Sequence, residues 1–347
     1  MLQPIIGHRG PEMEALMQRV APRLQVLFRT RRPVYVSTSS ATGFMEAAVR
    51  NCVRRRVLTL VCGAFSERFY RIAQACAKQV DRLDVEWGDA NEAAALAEAL
   101  ASGVYDAVTV VHSETSTGVL NPLAELAATV REVSAETLVV VDCVTSLGAT
   151  PVEVDAWSLD FALSGSQKGM ALPPGLAFAV ASQRAYDTSL EIPGRGLYFD
   201  FEAFEKAVAK RQTSNTPAVS LLFALDAQLE RIEAEGLEAR WARHRAMAER
   251  TWHWVDEMRE DHGIELKLLA REGRRSPSVS CVAVPAGVSG VEVARRLAER
   301  GYAIAPGYGR LKESTFRIGH MGDHTLEELD ALLETLTSVI LGIVQKR

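Results

Sequence analysis

Over the first 180 residues, short apolar β-branched runs alternate with segments whose apolar positions recur at helical spacing. The runs predict strands at Val34–Ser37, Val57–Val61, Val80–Val85, Ala107–His112, Thr137–Asp142, Leu159–Leu163 and Leu176–Ala181. The intervening spacing predicts helices over Phe44–Arg54, Ser66–Ala77, Glu92–Ala101 and Leu123–Val133. Runs such as TLVVVD are apolar on both faces, which fits a mostly parallel sheet covered by helices on each side. Asp89 and Asn91 offer capping oxygens before one helix, and Asn121-Pro122 before the next. From Gln183 to Thr213 the pattern loosens into a Pro/Gly-containing stretch. Two long helices are predicted next, Pro217 to about Glu235 and Leu237 to about His262. A smaller α+β alternation closes the chain: strands Val279–Val284, Ala303–Ala305 and Thr315–Ile318, with helices Val291–Glu299 and Leu326–Ile340.

Composition narrows this picture. The 347 residues suit two domains or one large α/β domain. With 48% hydrophobic and 24% charged residues, the chain has the balance of a globular protein. A net charge of −5 argues against a general nucleic-acid binder, and no apolar run approaches the roughly 18–20 residues that span a bilayer. The opening MLQPIIGHRG lacks the charged-then-apolar order of a signal peptide, and the closing IVQKR carries no address. The five cysteines form no C-x-x-C pair and no zinc spacing with histidine, so a cytoplasmic protein with reduced thiols and no metal is expected. Residues 1–60 hold ten arginines and no lysine against three acids. A solvated, ion-paired surface explains most of that excess, and one or two of these arginines could instead hold an anion.

Three strand ends carry candidate chemistry. In TSSATGFMEAAV, small residues separate a strand from a helix; there the backbone can approach a ligand, and free N–H groups with the helix dipole favour phosphate. In LVVVDCVTSLG, Asp142 ends an apolar strand, where a carboxylate is costly without a cation or donor. In LDFALSGSQKGM, Lys168 follows another apolar strand and a Gly/Ser turn. Singly these read as an ordinary turn, a helix cap and a surface cation. Jointly, Asp142 and Lys168 at two strand ends supply what pyridoxal phosphate needs. The amine forms a Schiff base, and the carboxylate keeps the pyridine nitrogen protonated as an electron sink.

The motifs SATGFMEAAV, HSETSTGVLNP, VDCVTSLGATPVEVD and SGSQKGMALPPGL, with GHRGPEM at 7–13 and FRIGHMGD at 316–323, resemble class V aminotransferases of the fold-type I pyridoxal-phosphate superfamily. The alanine/serine–glyoxylate (pyruvate) branch is the nearest likeness. The resemblance implies an α/β fold with a large, mostly parallel seven-stranded sheet and a smaller C-terminal α+β domain, divided as a cofactor-binding 1–235 and a 236–347. It implies pyridoxal 5′-phosphate as cofactor and Lys168 as the residue that binds it covalently and then moves the proton. Asp142 would meet the pyridine nitrogen, Val144 one ring face, and Phe65 the position of a stacking aromatic. Thr115 would reach the ring hydroxyl, and Ser40, Ala41, Thr42 and Gln167 the phosphate. Arg317 resembles the arginine that clamps a substrate carboxylate. The family works as a homodimer whose neighbouring loop completes the phosphate site; here that loop resembles QTSNTPAVS, making Thr213, Asn215 and Thr216 candidates, with Gln212 where relatives often have Tyr.

His8 and Arg9 resemble a His-Arg pair that meets the substrate phosphate in phosphoserine aminotransferases, although glyoxylate-type relatives carry it too. Relatives usually open with a Pro-Gly-Pro-Thr-like segment, whereas this chain begins almost at GHRG, which implies an upstream start or a differently built substrate pocket. Cys281 reads as core rather than as a desulfurase nucleophile, and Trp241, Trp252 and Trp254 as packing. His320 and His324 could line the mouth of the site, and His112 could stand behind the ring. The leading expectation is transamination between alanine or serine and glyoxylate or pyruvate. The alternatives are a phosphoserine aminotransferase, a lyase or desulfurase on the same fold, and a non-catalytic hydrogenase-associated relative.

Overall fold

The computed structural model describes residues 3–345. Met1, Leu2, Lys346 and Arg347, which belong to the two ends examined for address signals, lie outside them. A seven-stranded sheet organises the first half. Its strands are β1 (Val34–Ser37), β2 (Arg56–Val61), β3 (Gln79–Asp84), β4 (Ala107–Val111), β7 (Leu138–Asp142), β8 (Phe161–Gly165) and β9 (Ala177–Ala181). A small hairpin, β5 (Ser113–Glu114) with β6 (Val119–Leu120), sits between β4 and β7. The sheet order is β1-β9-β8-β7-β4-β2-β3. All pairs are parallel except those of β9, which runs against both β1 and β8.

Alternation along the strands explains why both faces are covered. Val139 and Val141 point to one side with Leu58, Leu60, Val108 and Val110, against α1 (Pro11–Phe28), α4 (Ala93–Ala101), α5 (Leu123–Val133) and α8 (Val219–Glu235). Leu138 and Val140 point to the other, against α2 (Ala41–Cys52), α3 (Ala64–Ala75), α6 (Gln183–Leu190) and α7 (Phe201–Val208). On that second side Phe161 stacks on Phe201 at 4.9 Å and Tyr35 on Phe204 at 5.1 Å.

The chain then passes through Gly236 (φ +80°) into α9 (Leu237–His262). A second, antiparallel sheet follows in the order β10 (Lys267–Leu268), β11 (Val279–Ala283), β13 (Thr315–Gly319), β12 (Ala305–Pro306). With α9, α10 (Gly290–Ala298) and α11 (Leu326–Val344) it encloses a separate core around Met247, Trp254, Val282, Phe316, Leu333 and Ile340.

The sequence reading needs three corrections. An 18-residue helix, α1, precedes β1, and the segment read as loosened contains two helices, α6 and α7. The capping assignments also fail: α4 is preceded by Glu92 and α5 by Pro122, neither with a side-chain cap. Asn121 instead accepts from Asn91 N at 2.8 Å and donates to Val111 O at 2.7 Å, bridging the loop before α4 to the end of β4, because a buried amide must satisfy both its oxygen and its N–H groups. Of the early arginines, Arg19, Arg23, Arg29, Arg32, Arg50, Arg54 and Arg56 pair with carboxylates, as the ion-paired reading expects.

Candidate active site

At the C-terminal ends of β4, β7 and β8 lies a cleft of about 280 Å³. Its lining brings together Ser40, Ala41, Thr42, Phe65, Thr115, Asp142, Val144, Gln167 and Lys168, all singled out in the sequence. Met45, Arg68, Ser113 and Thr145 join them.

Helix α2 enters the cleft with its N-terminus. Ser40 precedes it in an extended conformation without a side-chain cap; Gly43 N donates to Ser40 O at 3.0 Å, and the N–H groups of Ala41 and Thr42 stay free for an anion. Gly43 in that turn is required by close packing: a Cβ there would lie 2.4 Å from Phe199 Cζ. At Gly165 a Cβ would meet the tip of the exposed Gln167 side chain, 2.9 Å from Oε1, and touch Ala41 Cβ at an ordinary 3.4 Å.

Asp142 ends β7 at only 4% exposure. Val144 N donates to its Oδ1 at 2.8 Å, and no donor meets the other oxygen. Burial therefore pushes its carboxyl up to about 7, although the Val144 bond and the nearby Arg68 and Lys168 favour the charged form. Lys168 lies three residues past the end of β8, half-buried. Burial and then Arg317 lower its pKa, and Asp142 works in the opposite direction. The loops bearing these two residues touch backbone to backbone. A Cβ on Gly169 would lie 2.4 Å from Leu147 O, and one on Gly148, at φ +79°, 3.1 Å from Gly169 O.

Phe65 stands in the first turn of α3, which is fixed by a residue the sequence reading passed over. Glu114, fully buried, accepts from Phe65 N (3.1 Å), Ser66 N (2.9 Å), Ser66 Oγ (3.0 Å), Ser116 N (3.1 Å) and Ser116 Oγ (2.6 Å). A carboxylate at a helix N-terminus is favoured by the dipole and the free donors together. The available signal was an acid inside the hydroxyl-rich run HSETSTG. Next to it, Thr115 Oγ1 shares a 2.6 Å hydrogen bond with Thr145 Oγ1. Arg68, also unmarked in the sequence, lies 4.7 Å over the Phe65 ring and donates to Tyr308 Oη at 3.1 Å.

Arg317 arrives from β13 of the second sheet. Its Nε donates to Pro306 O at 3.1 Å and its Nη1 to Thr115 O at 3.4 Å, so its hydrogen bonds go to two backbone carbonyls and none to a carboxylate. Burial lowers its pKa. It does not line the cleft itself but stands at its edge, beside Thr115.

Residues 8–332 match the family described as Aminotransferase class-V. The chain belongs to the class V aminotransferases. It is 38% identical to the uncharacterized aminotransferase MJ0959 of Methanocaldococcus jannaschii, over 99% of this chain and 88% of that one. It is 35% identical to the soluble hydrogenase small subunit of a Synechococcus strain, over 96% and 87%. With the L-aspartate–glyoxylate aminotransferase of Paracoccus denitrificans it shares 32%, over 93% and 82%. Among solved structures, an aspartate aminotransferase of subgroup IV from Thermus thermophilus superposes with a TM-score of 0.89 at 35% identity, covering 98% and 94%. An alanine–glyoxylate aminotransferase from Nostoc gives 0.91 at 32%, covering 97% and 90%.

Class V membership implies pyridoxal phosphate, and the cleft fits it on its own terms. Asp142 is a buried carboxylate with one oxygen lacking a donor, which a ring N–H would supply. The uncapped N-terminus of α2 would take a phosphate, and Phe65 and Val144 supply apolar surface for a ring. Among the described residues no three His, Cys, Asp or Glu side chains cluster as metal ligands.

The remaining candidates lie elsewhere. Arg9 is exposed and donates to Gln212 Oε1 (3.1 Å) and Thr213 O (3.3 Å), and neither it nor His8 lines the cleft. Thr213 Oγ1 donates to Asn215 O at 2.6 Å, while Thr216 is exposed; this loop too is outside the cleft. The two C-terminal histidines do not line the mouth. His320 is buried between Ser280 Oγ (3.0 Å) and Pro277 O (2.9 Å), and His324 is exposed beside Glu328. His112 is buried edge-on to Trp157, and Cys281 is core.

Proposed function

We propose that this chain is a pyridoxal-phosphate-dependent transaminase that passes the amino group of alanine or serine to glyoxylate or pyruvate. The observation that carries the reading is the pair at neighbouring strand ends: a buried carboxylate with an unmet oxygen and a lysine amine facing one cleft beside an open helix N-terminus. Bound there, pyridoxal phosphate supplies an aldehyde that condenses with amines and a ring that accepts the electron pair released at the substrate Cα.

The protein's own residues do the rest. Lys168, its pKa lowered by burial and by Arg317, presents a neutral amine more readily than a surface lysine, first as the covalent anchor and then as the base that carries the Cα proton. Asp142 would stay charged once a cation met its free oxygen, and would then hold a proton on the ring nitrogen. Ser40, Ala41, Thr42 and Gln167 would hold the phosphate, Phe65 and Val144 would offer apolar surface to the ring, and Thr115 would meet its hydroxyl. Arg317 takes the substrate carboxylate through its planar fork.

Further parts of the reading are a division at 235/236, where Gly236 separates α8 from α9, and a homodimer in which Thr213, Asn215 and Thr216 serve a second copy's phosphate site. A cytoplasmic location accords with five free cysteines and with no described helix long and apolar enough to cross a membrane. Glyoxylate as acceptor is supported by the relatives' names, which also introduce aspartate as a rival donor. The phosphoserine reading needs an anion site at His8 and Arg9, and no such site opens into the cleft. The desulfurase reading needs a cysteine in or near the cleft, and none lines it.

A half-reaction screen decides among these. The cofactor-loaded protein is mixed separately with alanine, serine, aspartate, glutamate and phosphoserine, and loss of the lysine-bound cofactor's absorbance is followed. Fast loss with alanine or serine, reversed by glyoxylate or pyruvate, is the expected result. Preference for phosphoserine or aspartate would reassign the donor, and absence of any cofactor band would refute the Lys168 role.

A further inference from the structure

Lys168 lines the cleft and Arg317 stands at its edge; no direct hydrogen bond joins them, and Arg317 disfavours the charged form of Lys168. Something behind the cleft must hold them together. Arg240, in the first turn of α9, is 1% exposed and reaches both of their loops. Its Nη2 donates to Gly169 O at 2.7 Å and to Asp323 Oδ1 at 2.9 Å, while Nη1 donates to Glu235 Oε2 at 2.6 Å. Gly169 is the residue after Lys168, and Asp323 lies in the loop that leaves Arg317's strand. That loop is seated on the lysine turn: a Cβ on Gly322 would lie 3.2 Å from Ala171 Cβ and 3.7 Å from Lys168 O.

We propose that Arg240 is a positioning residue that sets the separation between Lys168 and Arg317. The inference rests on the roles given to those two residues above. One guanidinium spans both loops because its fork offers parallel donors; a lysine ammonium at this depth could hold one acceptor well but not all three. The acids it bonds have other partners. Glu235 keeps Arg243 (2.6 Å), and Asp323 keeps Gln228 (2.9 Å) and Arg231 (3.5 Å). Removing Arg240 therefore strips the Gly169 carbonyl of its donor and frees the lysine turn, while leaving neither carboxylate without a partner.

The test compares R240Q, R240K and D323N with the wild type. In the cofactor-free proteins, hydrogen–deuterium exchange is read over 165–172 and 317–324. R240Q is expected to raise exchange at least tenfold in both segments, and D323N in 317–324 only. In the loaded proteins, rates are normalised to bound cofactor. R240Q is expected to raise KM for the donor and lower kcat, each about tenfold, and to shift the pH midpoint of the lysine-bound cofactor's absorbance. D323N should move KM with kcat and midpoint kept, and R240K should recover part of the R240Q loss. If R240Q does not fold, R240K gives the same comparison at smaller amplitude. Exchange confined to α9, or a lower melting temperature with kcat, KM and midpoint all within twofold of wild type, would overturn the proposal. A wild type without a cofactor band would instead sink the Lys168 reading on which it stands.

Discussion

Asp142→Asn separates what the cleft costs from what it does. In the cofactor-free protein the Asp142 carboxyl is raised from 3.8 to about 7, chiefly by burial. For an acid raised on folding, the folded state binds the extra proton, so its burden is absent below about 3.8, grows as pH rises, and is complete above about 7. Three pH units at about 1.4 kcal/mol each give roughly 4 kcal/mol above pH 7, and about 2 kcal/mol remains at pH 5. Asparagine keeps the acceptor for Val144 N and removes the charge. With an unfolding entropy of about 2.1 cal/mol/K per residue, 4 kcal/mol is worth roughly 5 °C in a chain of this length. Calorimetry of cofactor-free D142N and wild type should therefore show the variant melting about 5 °C higher at pH 8 and about half as much higher at pH 5. Adding pyridoxal phosphate should reverse the order, because only the wild type gains a partner for the carboxylate. An equal gap at both pH values, or a variant less stable at pH 8, would refute this account of Asp142.

Three further outcomes follow from the same geometry. Lys168→Ala should abolish the lysine-bound cofactor band and lower turnover by at least a thousandfold, measured by absorbance and single-turnover mixing. Arg317→Lys replaces a fork with a point charge and should raise KM for the amino donor about tenfold or more, with a smaller fall in kcat. Glu114→Gln turns one acceptor oxygen into a donor facing N–H groups, so a loss of about 2–4 kcal/mol is expected in denaturant unfolding, together with weaker cofactor binding through a displaced Phe65.

Much of this was legible because apolar periodicity and small-residue turns are local. β7 carries an unbroken apolar run up to Asp142 and β4 one interrupted only by Thr109, and the turn chemistry around Ser40, Asp142 and Lys168 marks the ends of β1, β7 and β8 without any long-range knowledge. The direction of β9 was not legible, since AFAVA is apolar on both faces whichever way it runs. Helix α1 has buried Met13, Leu16, Met17, Val20, Leu24 and Leu27 at helical spacing, but Pro22 inside it and four arginines at or near its span blur the signal. α6 and α7 are short and separated by a Pro/Gly segment, so the punctuation outweighed their periodicity. Glu114 and Arg240 act through partners far off in sequence, and no spacing rule reports a bond from position 240 to 169.

The pairing of β1 with β9 has a consequence for how the chain is made. Val34 registers with Val180, and Arg19 of α1 meets Asp226 of α8 across 207 positions. During synthesis the first helix and first strand leave the ribosome long before either can find its neighbour. Nascent chains shorter than about 230 residues would therefore expose an apolar helix face and an open strand edge, the surfaces most prone to sticking. Such a topology also makes refolding slow, since distant segments must meet before they gain from it. Expression at lower temperature, or with more chaperone, should raise the soluble yield of this protein more than that of one whose ends pair locally.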